Sequence, residues 1–181
     1  MVILGVDPGT RRLGWGVVVR EGSRLRHQGH GVIVLDGDAP LAERLAVIES
    51  ELSEVIRRFG PETGSVESLF FHKDAQAAAK LGHARGVVLL CLARAGVAVA
   101  EYAPARVKRT VAGNGNADKR QVAQIVRMLL GLDGSPELDA SDALALAITH
   151  LRAAPLALAV EKSRRAAGLP QRRPAPRFRP H

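Results

Sequence analysis

A chain of 181 residues with 46% hydrophobic content suffices for one domain with a sizeable core and leaves two full domains cramped. Its formal charge of +8 is concentrated at the end, where Pro155 to His181 carry seven of the 26 Lys and Arg and one of the 18 acids. A single cysteine excludes a disulfide framework, and no apolar run approaches the ~18 residues of a membrane span, so a cytoplasmic protein without membrane insertion is expected.

The chain opens with Val2-Ile3-Leu4-Gly5-Val6, an apolar run ended by Asp7 immediately before Pro8 and Gly9. That spacing predicts a strand over 2–7 with Asp7 at its tip. Two further strands, about 13–20 and 25–35, follow across short glycine-containing turns and predict an antiparallel meander. Trp15, between Gly14 and Gly16, is expected to pack in the core. From 39 to 59 the residues Leu41, Leu45, Ile48, Leu52 and Ile56 recur at helical spacing, and Gly60-Pro61 ends the helix. A short strand then runs to Glu67, followed by a long helix over about 74–95, a strand over 97–102, and helices near 104–112, 117–131 and 137–153. Gly113-Asn114-Gly115-Asn116 forms the loop before the second of these, read either as a helix start whose free backbone amides, with Lys119 in the first turn, favour phosphate, or as a plain loop with Asn116 as the helix cap.

The order βββαβαβααα predicts an α/β architecture, a mixed five-stranded sheet with helices on both faces, and resembles the ribonuclease H-like fold. The expected domain spans 1–154. The tail, 155–181, combines proline with like charge and is expected to be disordered. Cys91 lies within Val87 to Leu92, a run that predicts a buried, reduced thiol. The helix over 74–95 is apolar nearly all round, so one of its faces needs a partner beyond the sheet.

Four acids, Asp7, Glu67, Asp139 and Asp142, stand at ends of apolar elements, and the last two are three apart on one helix face. Oxygen ligands without Cys or His suit a hard cation such as Mg2+, and two such ions can clamp the attacking and leaving oxygens of a phosphodiester. A metal-dependent nuclease is the reading that follows. Each acid also has an ordinary alternative: Asp7 as a turn residue, Glu67 as an exposed strand end, Asp139 and Asp142 as partners of a helix dipole. Arg94 to Arg127 holds seven bases against Glu101 and Asp118, a local +5 suited to nucleic acid phosphates or to a solvated face.

The segments Gly5 to Thr10, Glu67-Ser68-Leu69-Phe70-Phe71, Lys80 to Val87, Val107 to Val111 with Gly113-Asn114-Gly115, and Asp139 to Ala145 together resemble the RuvC-type crossover junction endodeoxyribonucleases. The resemblance runs from Met1 to about Leu151. It implies a Holliday junction resolvase acting in recombination and repair by paired, metal-dependent nicks that leave 5′-phosphate and 3′-hydroxyl ends. It makes Asp7, Glu67, Asp139 and Asp142 the catalytic, metal-binding carboxylates, for two Mg2+ ions that Mn2+ can replace. It places Lys108 and Lys119 close to the scissile DNA and an aromatic near Phe70 against an unpaired base, with Phe71 as the second candidate. It further implies a homodimer through the helix over 74–95, four-way junction DNA as substrate, and RuvA and RuvB as partners. The alternative is a YqgF-like RNA-processing nuclease, which shares the fold and the opening motif. Actin-like ATPases share that opening but need two such domains, and a DNA-binding module without catalysis has no use for four acids in a phosphate groove.

Overall fold

The structure is a computed structural model that describes residues 1–68 and 74–166, with side chains as far as Ala153. Strands β1 (Val2–Asp7), β2 (Arg12–Glu21) and β3 (Arg24–Val34) pair antiparallel in succession, as the glycine turns between them predict. Helix α1 (Leu41–Phe59) carries the chain back so that β4 (Thr63–Glu67) lies parallel to β1. Helix α2 (Ala75–Arg94) repeats the crossover and sets β5 (Ala98–Tyr102) parallel to β4. The sheet order is β3-β2-β1-β4-β5, and α3 (Pro104–Ala112), α4 (Lys119–Leu130) and α5 (Leu138–Ala166) complete the expected element order.

Strand alternation sorts the core into two layers. Leu4, Val6, Leu13 and Val17 pack with Ile48 and Leu52 of α1 and with Val88 and Leu92 of α2. Ile3 and Val18, pointing the other way, pack with Val126 of α4 and with Leu144 and Ile148 of α5. Helices therefore cover both faces. Trp15 sits at the margin of the first layer with its ring centroid 5.6 Å from that of Phe59, and Cys91 is a buried free thiol within the same layer.

Helix α5 lies unusually close to the sheet because glycines remove the side chains beneath it. A Cβ on Gly5 would stand 1.9 Å from the Ala143 carbonyl oxygen, and one on Gly14 would stand 1.9 Å from that of Asp139. Glycine weakens a strand, but here it admits a second backbone. The Ser65 hydroxyl uses the same proximity to donate to the Leu146 carbonyl at 2.9 Å.

Two expectations are corrected. Helix α4 is capped by Asp118 rather than Asn116: the Asp118 carboxylate accepts from Gln121 N at 2.8 Å, and the Gln121 side chain accepts from Asp118 N at 3.2 Å. Asn116 closes the preceding loop, its N–H donating to the Asn114 side chain. Helix α5 does not end near 153 but runs to Ala166, so the expected boundary at 154 falls inside it. Pro155 forfeits one backbone hydrogen bond, yet the Leu, Ala, Glu, Lys and Arg that follow are strong helix formers and carry the helix on. Residues 167–181 lie outside the described residues.

Candidate active site

The parallel pairing of β1 with β4 sets Val6 opposite Val66, so the two strand-end acids that follow, Asp7 and Glu67, are neighbours. Alternation aims both toward α5, as Gly5 and Ser65 two residues earlier already face that helix. The sheet thus delivers two carboxylates to one rim. Helix α5 brings Asp139 and Asp142 to it in its first turns, α4 contributes Lys119 from its first residue, and α3 contributes Lys108.

A cavity of about 340 Å3 is lined by Asp7, Glu67, Asp142, Lys108 and Lys119. Lys119 Nζ donates to Asp142 Oδ2 at 2.8 Å. Asp139 is turned differently: its Oδ2 accepts from Arg12 Nε at 2.6 Å, while Arg12 Nη2 pairs with Glu137. Five of the eight residues singled out from the sequence therefore share one cavity, and Asp139 stands beside it in an ion pair. Phe70 and Phe71 lie outside the described residues.

Burial, followed by repulsion from Glu67, Asp142 and Asp139, pushes the Asp7 carboxyl up to about 7, with the Lys119 ammonium opposing. Lys119 is raised above the usual lysine value, chiefly by its hydrogen bond to Asp142. Among the described residues no three His, Cys, Asp or Glu side chains are gathered as a ready-made ligand set. The donor chemistry nevertheless fits a hard divalent cation: the candidate ligand atoms are all carboxylate oxygens, and burial together with mutual repulsion raises the proton affinity of Asp7, which a bound cation would lower. Arg12 and Lys119 occupy two of the carboxylates as counter-ions.

Sequence reasoning did not single out Arg12 or Arg85. Arg85 Nε of α2 donates to the Glu67 carbonyl at 3.3 Å while Nη2 pairs with Glu101 at 2.5 Å, and its side chain is only 12% exposed. It tethers the end of β4 to α2. Arg85 lies within the Lys80 to Val87 segment, a signal that was available; the Arg12 contact depends on the approach of α5 to Gly14 and has no local signature.

A five-stranded sheet in this order, with acids at the ends of its first and fourth strands, defines the ribonuclease H-like class. A sequence model described as "Crossover junction endodeoxyribonuclease RuvC" matches residues 3–150. The crossover junction endodeoxyribonuclease RuvC of Sorangium cellulosum is 57% identical over 163 residues, covering 90% of this chain and 91% of its own length. The chain belongs to the RuvC family. Its fold matches that of Thermus thermophilus RuvC in complex with Holliday junction substrate, with a TM-score of 0.82 and 40% identity over 87% of this chain and 96% of the other. The yeast mitochondrial Holliday junction resolvase Ydc2, 12% identical over 91% of this chain and 83% of its own, shares the fold with a TM-score of 0.65.

Proposed function

We propose that this chain is a divalent-metal-dependent endonuclease that resolves four-way DNA junctions by paired nicks. The observation that carries this reading is the meeting of Asp7, Glu67 and Asp142 in one cavity with Lys108 and Lys119, in a chain of the RuvC family. Asp7, Glu67, Asp139 and Asp142 would hold the cation, Mg2+ or Mn2+. A divalent cation held by these carboxylates would supply Lewis acidity for the hydrolysis of a phosphodiester by water.

The protein's own groups do the rest. Asp7 and Glu67, fixed at paired strand ends, hold their oxygens against the repulsion of Asp142 and so keep the site selective for a cation. Lys119, released from Asp142 when that carboxylate changes partner, is close enough to take a phosphate oxygen, and Lys108 offers a second ammonium on the same cavity wall. In-line displacement by water leaves a 5′-phosphate and a 3′-hydroxyl. Phe70 and Phe71 are proposed as the base-stacking elements beside the cut.

A homodimer suits this substrate, because a twofold axis presents two sites to two symmetry-related strands. Helix α2 is the proposed contact: a shallow groove along it, lined by Ala79, Gly82, His83, Gly86, Val87 and Leu90 with Leu45 of α1 at its side, exposes mostly apolar surface, and Leu90 is 48% exposed. His83 is spent locally, its Nδ1 lying 2.7 Å from the Ala79 carbonyl. RuvA and RuvB are proposed as working partners, and the cytoplasm, with the chromosome, as the setting. The basic tail is proposed to add general DNA affinity. The test is incubation with mobile four-way junctions, matched duplexes and structured RNA, with and without Mg2+. Symmetric Mg2+-dependent nicks in the junction alone are expected, and preferential cleavage of RNA would favour the YqgF-like alternative.

A further inference from the structure

Arg12 begins β2 two residues before Gly14 and on the same strand face, and Gly14 is where the backbone of α5 comes against the sheet. Its guanidinium therefore reaches the start of α5, where it is divided between Asp139 in the first turn and Glu137 just before it. These two carboxylates hold it in the charged form even more firmly than usual. Deprotonation never frees Asp139; only an exchange of partners does.

We propose that Arg12 is an intramolecular counter-ion that competes with the divalent cation for Asp139 and thereby sets the metal concentration at which the site fills. This rests on the reading of Asp139 as a metal ligand. Arg12 opposes the metal in two ways: it occupies Oδ2 at 2.6 Å, and it leaves a positive charge beside the incoming one. Both effects are screened, because the Arg12 side chain is 42% exposed. The consequence is a modulated affinity rather than a blocked site, with a change of about three- to tenfold when the guanidinium is removed. Glu137 gives the displaced arginine somewhere to remain, so the exchange needs no movement of β2 or α5.

The experiment measures Mn2+ binding to the full chain without DNA, by the loss of the free-ion paramagnetic resonance signal, alongside thermal melting. Arg12→Gln is expected to bind Mn2+ about three- to tenfold more tightly than the native protein, Arg12→Lys is expected to fall between, and the gain is expected to vanish when Asp139→Asn is added. Equal or weaker Mn2+ binding by a folded Arg12→Gln protein overturns the proposal. If Arg12→Gln does not fold, Arg12→Lys decides: tighter binding than native supports competition, and unchanged binding rejects it. Asp7→Asn and Asp142→Asn separate the two levels of argument. If both leave Mn2+ binding intact, the metal-site reading fails and the proposal with it; if both weaken it while Arg12→Gln has no effect, only the role of Arg12 is wrong.

Discussion

Gly14 and Asp139 touch backbone to backbone, so closely that a Cβ on Gly14 would stand 1.9 Å from the Asp139 carbonyl oxygen. The contact fixes the height of the first turn of α5 above β2, and with it the approach of Asp139 and Asp142 to Asp7. A carbonyl oxygen of a helix cannot give way as a flexible side chain can. The geometry of the candidate site therefore depends on a residue that carries no functional group.

Gly14→Ala is expected to lift that turn, costing about 2–3 kcal/mol of stability and more than tenfold in junction nicking. Gly22, in the turn between β2 and β3 at a φ of 61°, is the comparison. Ala there meets no neighbouring atom and costs roughly 1 kcal/mol of backbone strain, with nicking unchanged. Chemical denaturation and nicking rates for both variants check this; a Gly14→Ala protein that nicks at the rate of the Gly22→Ala protein would show that the height of α5 does not govern the rate.

The Asp7 carboxyl, raised from 3.8 to about 7, binds its proton more tightly in the folded chain than in the unfolded one. Without metal, its favourable contribution is complete below pH 3.8 and is lost as pH rises through about 7. Asp7→Asn removes the buried charge, so at pH 8 the metal-free variant should be more stable than the native protein by on the order of 2 kcal/mol, an advantage that shrinks toward pH 4. With Asp7 as the proposed metal ligand, saturating Mn2+ should reverse the order at pH 8, because the native chain binds the cation more tightly than the variant. Melting curves at three pH values, with and without Mn2+, test both statements; a pH-independent difference would remove the repulsion argument.

The element order was legible because the apolar period changes at glycines and prolines that can be placed by eye, as at Gly60-Pro61 and Asp7-Pro8-Gly9. What could not be read locally is which strand lies beside which. Asp7 and Glu67 are neighbours only because β4 pairs with β1, a partnership sixty residues apart in the chain. The spacing of Asp139 and Asp142 announces a shared helix face, but their division between Arg12 and Lys119 depends on where α5 settles on the glycines of β1 and β2. The cap of α4 is a different case. Asp118 and Gln121 already spell a capping box, and Asn116 competes with it in the sequence because Asn and Asp cap almost equally well. The extension of α5 past 153 is the opposite case: Pro155 breaks one hydrogen bond, but the helix formers after it outweigh the loss.

Lys119→Met is expected to separate chemistry from stability. Its pair with Asp142 joins a side chain 64% exposed to one 24% exposed, so losing it should cost less than about 1 kcal/mol. Nicking should fall tenfold or more, since the ammonium is the cation nearest Asp142 that a phosphate oxygen can share. Single-turnover nicking and melting on one preparation decide it, and a variant that nicks at the native rate would make Lys119 a purely structural counter-ion.

Leu90→Glu places a charge in the apolar groove of α2 without touching the cavity that holds Asp7. Sedimentation at micromolar concentration should give about twice 19.3 kDa for the native chain and a single copy for the variant. The variant should still nick junctions, but at one strand per encounter rather than two. A native monomer that delivers paired nicks would remove α2 from the argument.

Residues 167–181 contain Arg172, Arg173, Arg177 and Arg179 and no acid, and they follow the span that the family model matches. Deleting them keeps every described residue of α5 and removes four positive charges from the chain. Junction selectivity and cleavage position should be unchanged, because the carboxylates and both candidate lysines lie before residue 143. Affinity for junction and duplex alike should fall at low salt, and the slope of log affinity against log salt should shrink by up to about 3.6, the release of counterions from roughly four phosphates. Binding measured for both DNAs across a salt series, with the full and shortened chains, checks this. If shortening instead erases the preference for junction over duplex, Phe178 and its flanking arginines are a recognition element, and specificity does not reside in the folded body.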